Sequence, residues 1–290
     1  MPGTVHLLAL SSALLSAVAT ILIRQGLRAG GIYTGYWINL VVGTAALWTA
    51  VALTGGPDRL SAAGVALFGL AGLIGTVAGR LLRFISIEKV GASISAALMN
   101  LHPFVSTGLA ILLLGERVTP PIIVGTLVIV LGTTLLSLGG RSVGFRPWHL
   151  ALPVLSATCF GVVAILRKVG LGEMGPITGS AINVTTALIA FTAFLVASGQ
   201  PRAMAAGRGR SLVYFVVAGI SENTAVFLTV VALGIGHVSV VTPLSGTAPI
   251  FVLFLSFFFL RGIDVLTARI VAGTVLIVLG VYLITALSGR

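Results

Sequence analysis

The sequence predicts an all-α integral membrane protein of ten transmembrane helices, arranged as two inverted five-helix repeats. The first observation is composition: hydrophobic residues make up 57% of the 290 residues and charged residues only 8%, whereas a soluble domain carries about 25% charged residues. The second is that the apolar residues form runs of roughly 20, the length that crosses a hydrocarbon core. The third is that landmarks of the first half recur in the second half. A water-soluble fold and a disordered chain are therefore excluded.

Ten apolar runs follow one another, joined by short connections rich in Gly, Pro and Arg. Each run is apolar on all sides rather than alternating, which favours helices over the strands of a membrane barrel. The predicted spans, numbered 1 to 10, are residues 5–23, 33–54, 62–82, 92–114, 121–139, 148–166, 176–198, 211–233, 238–260 and 267–287. The connections leave no room for a soluble domain of any size.

The two halves of the chain carry the same landmarks in the same order, separated by 143 to 148 residues. The matched pairs are His6 and His149, Arg24 and Arg167, Asn39 and Asn183, Pro103 and Pro249, and the octets 125–132 and 273–280. We therefore expect one repeat at residues 1–143 and a second at residues 144–290. Because five is an odd number of helices, the second repeat enters the membrane with the opposite orientation, an architecture found in transporters.

The chain resembles a known family at this point. The residues that carry the resemblance are Ala92-Ser-Ile-Ser, Leu98 to Pro103, Leu113-Leu-Gly-Glu-Arg-Val-Thr119, and the pair Gly125 and Gly132. This pattern is similar to the drug/metabolite transporter superfamily, in particular its bacterial ten-helix branch with two EamA-type repeats. The second copy departs from it, because Leu260-Arg-Gly-Ile-Asp264 replaces the "LGE" motif. The resemblance implies export of small metabolites, often amino acids, by alternating access.

Glu222 and Asn223 lie near the centre of span 8 and are the first candidates for substrate binding. A charge at mid-membrane costs roughly 2.5–3.5 kcal/mol on insertion scales, so such residues usually face the bundle interior and mark pathways. Glu222 would bind a substrate ammonium group or carry a proton. The alternative is a structural ion pair with Arg80 or Arg83, which lie one turn apart late in span 3. Arg83 itself would meet a substrate carboxylate or extend to the membrane interface.

Spans 4 and 9 contain further polar candidates beside prolines. Asn100 and His102 precede Pro103, which removes a backbone donor and frees a carbonyl group. Span 9 offers Thr242 and Ser245 as ligands. Prolines bend helices, so we expect spans 4 and 9 to be paired hinges, with the hinge residues Pro103, Pro243 and Pro249.

Asn39 and Asn183 are symmetry mates toward the beginnings of spans 2 and 7. They are candidates for the cavity lining, although they would equally serve to hold the two repeats together. Glu116 and Asp264 occupy matching turns after spans 4 and 9, and we interpret them as stabilising helix ends electrostatically.

The predicted function is secondary transport of small polar metabolites, with amino acids as the expected class, out of the cell across the bacterial inner membrane. The alternative is efflux of amphipathic amines or drugs by the same fold. The sequence has no G-x-x-x-x-G-K-[ST] motif, so an ATPase subunit is not indicated, and proton coupling through Glu222 or His102 is an option beside uniport. We expect no cofactor, no metal and no enzymatic activity, because neither paired mid-membrane carboxylates nor a metal-ligand set is visible. A purely structural or assembly subunit is the remaining class.

The basic composition reflects membrane topology rather than nucleic-acid binding. The formal net charge is +11, but the cations punctuate the apolar runs and form no basic cluster. Most of the 17 Lys and Arg fall in the odd-numbered connections or the nearby helix ends. The positive-inside rule then places both termini outside the cytoplasm, whereas relatives are usually drawn with both termini inside.

Overall fold

The computed structural model describes residues 2–57, 59–90, 92–137, 146–205, 207–259 and 268–287. Throughout these ranges the regular structure is helical and contains no strand. In the first half the elements are α1 (Pro2–Gly26), α2 (Ile32–Leu53), α3 (Ala62–Ala71), a π-helical segment (Gly72–Gly79), α4 (Arg80–Val90), α5 (Ala92–Met99), α6 (His102–Leu114) and α7 (Pro120–Ser137).

The second half repeats this order with short 3₁₀ turns at its connections. Its elements are a turn at Pro147–Leu150, α8 (Ala151–Gly170), α9 (Pro176–Ala197), a turn at Pro201–Ala205, α10 (Gly209–Ile235), α11 (Val238–Ser245), α12 (Ala248–Phe259) and α13 (Ala268–Leu287). In the described ranges, seven helices are long and apolar enough to cross a membrane, and three shorter apolar helices cover 102–114, 120–136 and 271–286. The predicted all-α membrane fold is therefore confirmed.

Spans 4 and 9 are each built from two helices rather than one. In span 4 the break falls at residues 100–101, between α5 and α6, and Pro103 is the second residue of α6. In span 9 the break falls at residues 246–247, and Pro249 is the second residue of α12. A proline at the first turn of a helix is tolerated because its missing N–H has no partner there in any case. The hinge role of these prolines stays a prediction.

The helix contacts of the two halves are related by an approximate two-fold symmetry. Helix α1 packs along α10, and their counterparts α8 and the α3–π segment pack in the same way. Helix α2 packs on its own counterpart α9, and α7 packs on its counterpart α13. With five crossings in each half, this arrangement places the second half upside down relative to the first.

Matched glycines allow a close contact between helices α7 and α13. A Cβ atom built on Gly132 would lie 2.7 Å from the carbonyl oxygen of Gly273, and one on Gly280 would lie 2.7 Å from that of Gly125. These four glycines are the ends of the octets that recur in the sequence. Without a hydrophobic driving force between helices in lipid, such close backbone contact supplies the packing energy.

The two halves are also joined at the side of the membrane where α1 begins, here called the terminal face. The Glu116 carboxylate, which follows α6, accepts hydrogen bonds from the backbone N–H groups of Val238 (2.7 Å) and Ser239 (3.1 Å) at the start of α11. Ser61 donates to Glu173 at 2.8 Å at the same face. The interpretation of Glu116 as a helix-end carboxylate is confirmed, whereas Asp264 lies outside the described residues.

The glycine contact predicts that Gly132→Ala destabilises the protein. The added Cβ meets backbone and Ile277 at distances that real Cβ atoms do not adopt, so α7 and α13 must separate, at a cost of about 1–3 kcal/mol. Gly108→Ala is the matched control, because nothing lies within 4 Å of its Cβ position and alanine favours helix. Thermal unfolding in detergent should show a lower midpoint for Gly132→Ala only. Equal midpoints would contradict the proposed role of this contact.

Candidate functional site

A cavity of about 260 Å³ lies between the two halves of the chain. Helices α1, α2 and α8–α10 surround it, together with the π-helical segment, the start of α4, and single residues from α6 and α11. Its polar lining residues are Ser12, Ser16, Asn39, Thr76, Arg80, Arg83, His102, Arg167, Ser180, Asn183, Glu222, Asn223, Thr229 and Ser245. Both halves therefore supply polar groups to one shared space inside an apolar bundle.

An ion pair between the halves crosses this cavity. The Nη2 atom of Arg80 lies 3.2 Å from Oε1 of Glu222, and the two side chains are 22% and 18% exposed. Ser16 donates to the other carboxylate oxygen at 3.3 Å. The Arg80 guanidinium also stands over the ring of Tyr36, 5.2 Å from its centroid, a favourable cation–π distance. Glu222 therefore forms the ion pair with Arg80 that one interpretation of the sequence predicted. It also lines the cavity, as the alternative role in binding a substrate or a proton requires.

The π-helical segment explains how span 3 brings polar atoms to the cavity wall. Its glycines have no side chains, so α8 and α9 approach closely: the backbone oxygen of Asn183 lies against Gly72, and Val163 lies against Gly75. π-helical turns inside α-helices are often associated with functional sites. The segment places Thr76 in the cavity lining and ends at Arg80, the first residue of α4.

Arg167 and Asn183 form a second polar pair on the cavity wall. The guanidinium donates to Oδ1 of Asn183 through Nη2 at 3.1 Å and through Nε at 3.3 Å. The Asn183 amide in turn donates to the hydroxyl of Thr76 at 3.3 Å. Sequence reasoning missed Arg167, because it treated this cation at the end of span 6 only as a topology signal. Its repeat mate Arg24 is exposed and does not line the cavity.

Asn223 and Asn39 form the pseudo-symmetric counterpart of the contact between Thr76 and Asn183. The Nδ2 atom of Asn223 donates to the backbone oxygen of Asn39 at 3.1 Å and to its side-chain oxygen at 3.3 Å. Gly219 lets the two helices approach, since a Cβ there would lie 3.2 Å from Cα of Asn39. The two asparagine mates thus both line the cavity and join the two halves, so the two alternatives derived from the sequence coexist.

Three polar atoms in the cavity lining have no hydrogen-bond partner. They are Nδ2 of Asn39 and the hydroxyl groups of Ser180 and Ser245. Asn39 and Ser180 are only 4% and 3% exposed. Leaving a buried polar group unpaired costs about 1–3 kcal/mol, so these three atoms lower the stability of the state described here.

Most of the predicted site residues come together here. Seven of them line the cavity: Glu222, Asn223, Arg83, His102, Ser245, Asn39 and Asn183. The imidazole Nδ1 of His102 lies 3.2 Å from the backbone oxygen of Met99, at the break in span 4. Two predicted residues lie outside the lining. Asn100 lies in the break between α5 and α6, and its amide nitrogen is buried and unpaired. Thr242 is buried, and its hydroxyl oxygen lies 2.8 Å from that of Ser106, within hydrogen-bond distance.

The chemistry of the lining suits recognition of polar and charged solutes. Within the described ranges, no group of three or more His, Cys, Asp or Glu comes together as metal ligands would. Glu222 is the one carboxylate among the described lining residues, facing three arginines. The arrangement offers hydrogen bonds and opposite charges to a bound solute.

Comparisons with known proteins agree with this architecture. The model of the EamA-like transporter family matches residues 3–138 and 147–286. A solved crystal structure is similar over 99% of this chain and 98% of its own, with a TM-score of 0.81 and 17% sequence identity; at that identity the likeness concerns the fold alone. No curated protein matches the chain.

The ion pair predicts coupling between Arg80 and Glu222 in a double-mutant cycle. Arg80→Gln or Glu222→Gln alone leaves one charge without its partner, which should lower the free energy of unfolding by about 1–3 kcal/mol. The double variant should lose less than the sum of the two single losses. Unfolding of the four proteins in detergent measures the difference, and strictly additive losses would show that the two side chains do not act as a pair.

Proposed function

The chain belongs to the EamA-like transporter family, and on that premise we propose that it is a secondary carrier that exports small polar metabolites, with amino acids as the first class to test. Members of this family are transporters rather than enzymes, and the chain is a multi-pass membrane protein of the drug/metabolite transporter type. The proposed location is the bacterial inner membrane, and the proposed mechanism is alternating access.

One observation carries the proposal: both halves contribute polar and charged residues to one cavity within the membrane-spanning bundle. A structural subunit has no need for such a cavity, because polar groups at membrane depth are costly. A binding site for a polar solute accounts for this concentration of polar groups. In carriers built from inverted repeats, the substrate site lies near the midplane between the repeats.

Alternating access requires contacts between the halves to open on one side of the cavity at a time. At the terminal face the halves are joined by Glu116 with α11 and by Ser61 with Glu173. Toward the opposite face they are joined by Trp37 with Thr192 at 3.1 Å and by Ser156 with the backbone oxygen of Gly79 at 2.7 Å. In the proposed cycle these two sets of contacts open in turn.

The composition of the lining argues against the alternative of amphipathic amine or drug efflux. Such a substrate would be recognised by aromatic rings around a buried acid. Phe160 is the only Phe, Tyr or Trp among the described lining residues, against fourteen polar or charged ones. The energy source is a gradient of the solute or of protons, and Glu222 and His102 are the candidates for proton coupling.

The unpaired hydroxyl groups predict that Ser180→Ala and Ser245→Ala impair transport without harming the fold. Each variant removes one hydrogen bond to the solute, which should raise the KM of flux about 2- to 10-fold. Thr44→Val is the matched control, because its hydroxyl is also buried and unpaired but does not line the cavity. Proteoliposomes loaded with labelled amino acids would measure the flux. Equal KM values in all three variants would remove the hydroxyl groups from the site.

Alternating access predicts that fixing the terminal face stops transport. We would replace the single Cys159 by Ser, introduce Cys at Ser61 and Glu173, and join them with a short thiol-reactive crosslinker that a reductant removes. Flux should fall below about a tenth of its untreated value and recover on reduction, because the terminal contacts must open in every cycle. Proteins with one of the two cysteines serve as controls. Full flux in the crosslinked protein would refute the proposed cycle.

A further inference from the structure

We propose that the cavity selects solutes with net negative charge, and specifically dicarboxylic solutes such as the acidic amino acids. The inference rests on the proposed transport function and narrows its substrate class. It starts from charge: among the described residues, Arg80, Arg83 and Arg167 line the cavity with Glu222 as their only carboxylate. The Arg80–Glu222 pair is neutral in sum, so two positive charges are left over, that of Arg167 on the cavity wall and that of the exposed Arg83.

Arg167 carries the first of these charges. Its protein partner is the neutral side chain of Asn183, and none of the described carboxylates lies within ion-pair distance of it. A guanidinium group has five N–H donors, and this contact uses only those of Nε and Nη2. The unused donors provide a site for a planar carboxylate, which arginine recognises through two parallel hydrogen bonds.

Comparison with Arg24, the repeat mate of Arg167, indicates that the positive-inside rule alone does not explain the position of Arg167. Arg24 occupies the matching position of the first repeat, is exposed and does not line the cavity. A cation that only directs membrane orientation functions at the surface, as Arg24 does. A cation turned into the bundle costs desolvation energy that an anionic solute would offset.

Arg83 carries the second charge and lies where the cavity reaches the surface. It follows Arg80 by one turn of α4, lines the cavity and is exposed, and in the described part of the chain no carboxylate forms an ion pair with it. A positive charge at the mouth of a low-dielectric cleft attracts anions and repels cations before they bind.

These charges discriminate among amino acids. A neutral zwitterion leaves both surplus positive charges in place, and a diamine adds to them. A dicarboxylic amino acid offers one carboxylate to each free arginine and an ammonium group to Glu222, and its net charge of −1 lowers the surplus from two positive charges to one. The cavity volume of about 260 Å³ is at the small end of ligand sites, which fits a solute of this size.

The test compares L-glutamate with L-glutamine, which have nearly the same shape and differ by one negative charge. Flux and binding of both would be measured with the purified full-length protein in proteoliposomes, together with succinate and putrescine. We expect L-glutamate to be favoured over L-glutamine at least about tenfold, since hydrogen bonds to a charged group contribute about 1.5–3 kcal/mol. Succinate should compete with L-glutamate, and putrescine should not.

Variants assign this preference to the arginines. Arg83→Gln and Arg167→Gln should each lower the affinity for L-glutamate about 10- to 100-fold and reduce its advantage over L-glutamine. Arg24→Gln, at the repeat mate of Arg167, should leave both solutes unchanged, and Arg83→Lys should retain part of the preference because it retains the charge.

The outcomes separate this inference from the proposed function. Transport of L-glutamine equal to or better than that of L-glutamate, or preference for putrescine, would overturn the anion selectivity while leaving the carrier function intact. An L-glutamate preference that survives in both Arg83→Gln and Arg167→Gln would overturn the assignment to these residues. Absence of flux for every solute in the panel and for a wider amino-acid mixture would overturn the inference and count against the carrier function itself.

Discussion

The burial of charge inside an apolar bundle is the constraint on which the rest of this structure depends. Arg80 comes from the first half and Glu222 from the second, and they meet at 3.2 Å in the cavity between the halves. Neither charge is tolerated in hydrocarbon alone, so the ion pair requires both halves to be present and correctly apposed. Around it, Arg167 with Asn183 and Asn223 with Asn39 follow the same principle: each group finds its partner on another helix. The glycines of the π-helical segment and α10 permit this by letting backbones approach.

Contacts that obey the pseudo-symmetry hold the two halves together, whereas the charged residues of the cavity lining depart from it. The contact of Thr76 with Asn183 corresponds to that of Asn223 with Asn39, and the glycines of α7 and α13 face one another reciprocally. These matched features build the scaffold. Arg167 lines the cavity whereas its mate Arg24 is exposed, and Glu222 contributes the one carboxylate among the described lining residues. Two identical halves would present identical charges on both sides of the two-fold axis. Divergence between the copies therefore gives the cavity its unequal charge and, in the proposed carrier, the means to select solutes.

The sequence predicts the fold well because helix length and hydrophobicity are local properties, and because proline marks the breaks in spans 4 and 9. It predicts Glu222 as a lining residue because a polar group at mid-span has few places to go except inward, and it names Asn39 and Asn183 as candidates because they are polar symmetry mates of the two repeats. It does not predict Arg167, because a cation near a helix end can face either the interface or the interior, and the rotation of α8 that decides this depends on its neighbours. Asn100 is predicted to line the cavity but does not. It lies in the break between two helices rather than on a regular helix face, so helical spacing does not give the direction of its side chain.

The location of the ion pair has a consequence for any carrier cycle in which the two halves move against each other. Such motion separates Arg80 from Glu222, and an unpartnered charge in a low-dielectric site is strongly destabilising. An empty cavity therefore holds the halves in place through this pair. A solute that carries both an anionic and a cationic group offers each side chain a replacement partner, so the pair can open while Arg80 and Glu222 each keep a partner of opposite charge. In the proposed carrier, binding of the solute thereby provides the free energy for the conformational change. The solute must then match the charges of the cavity, whereas the shape of the rest of the solute matters less.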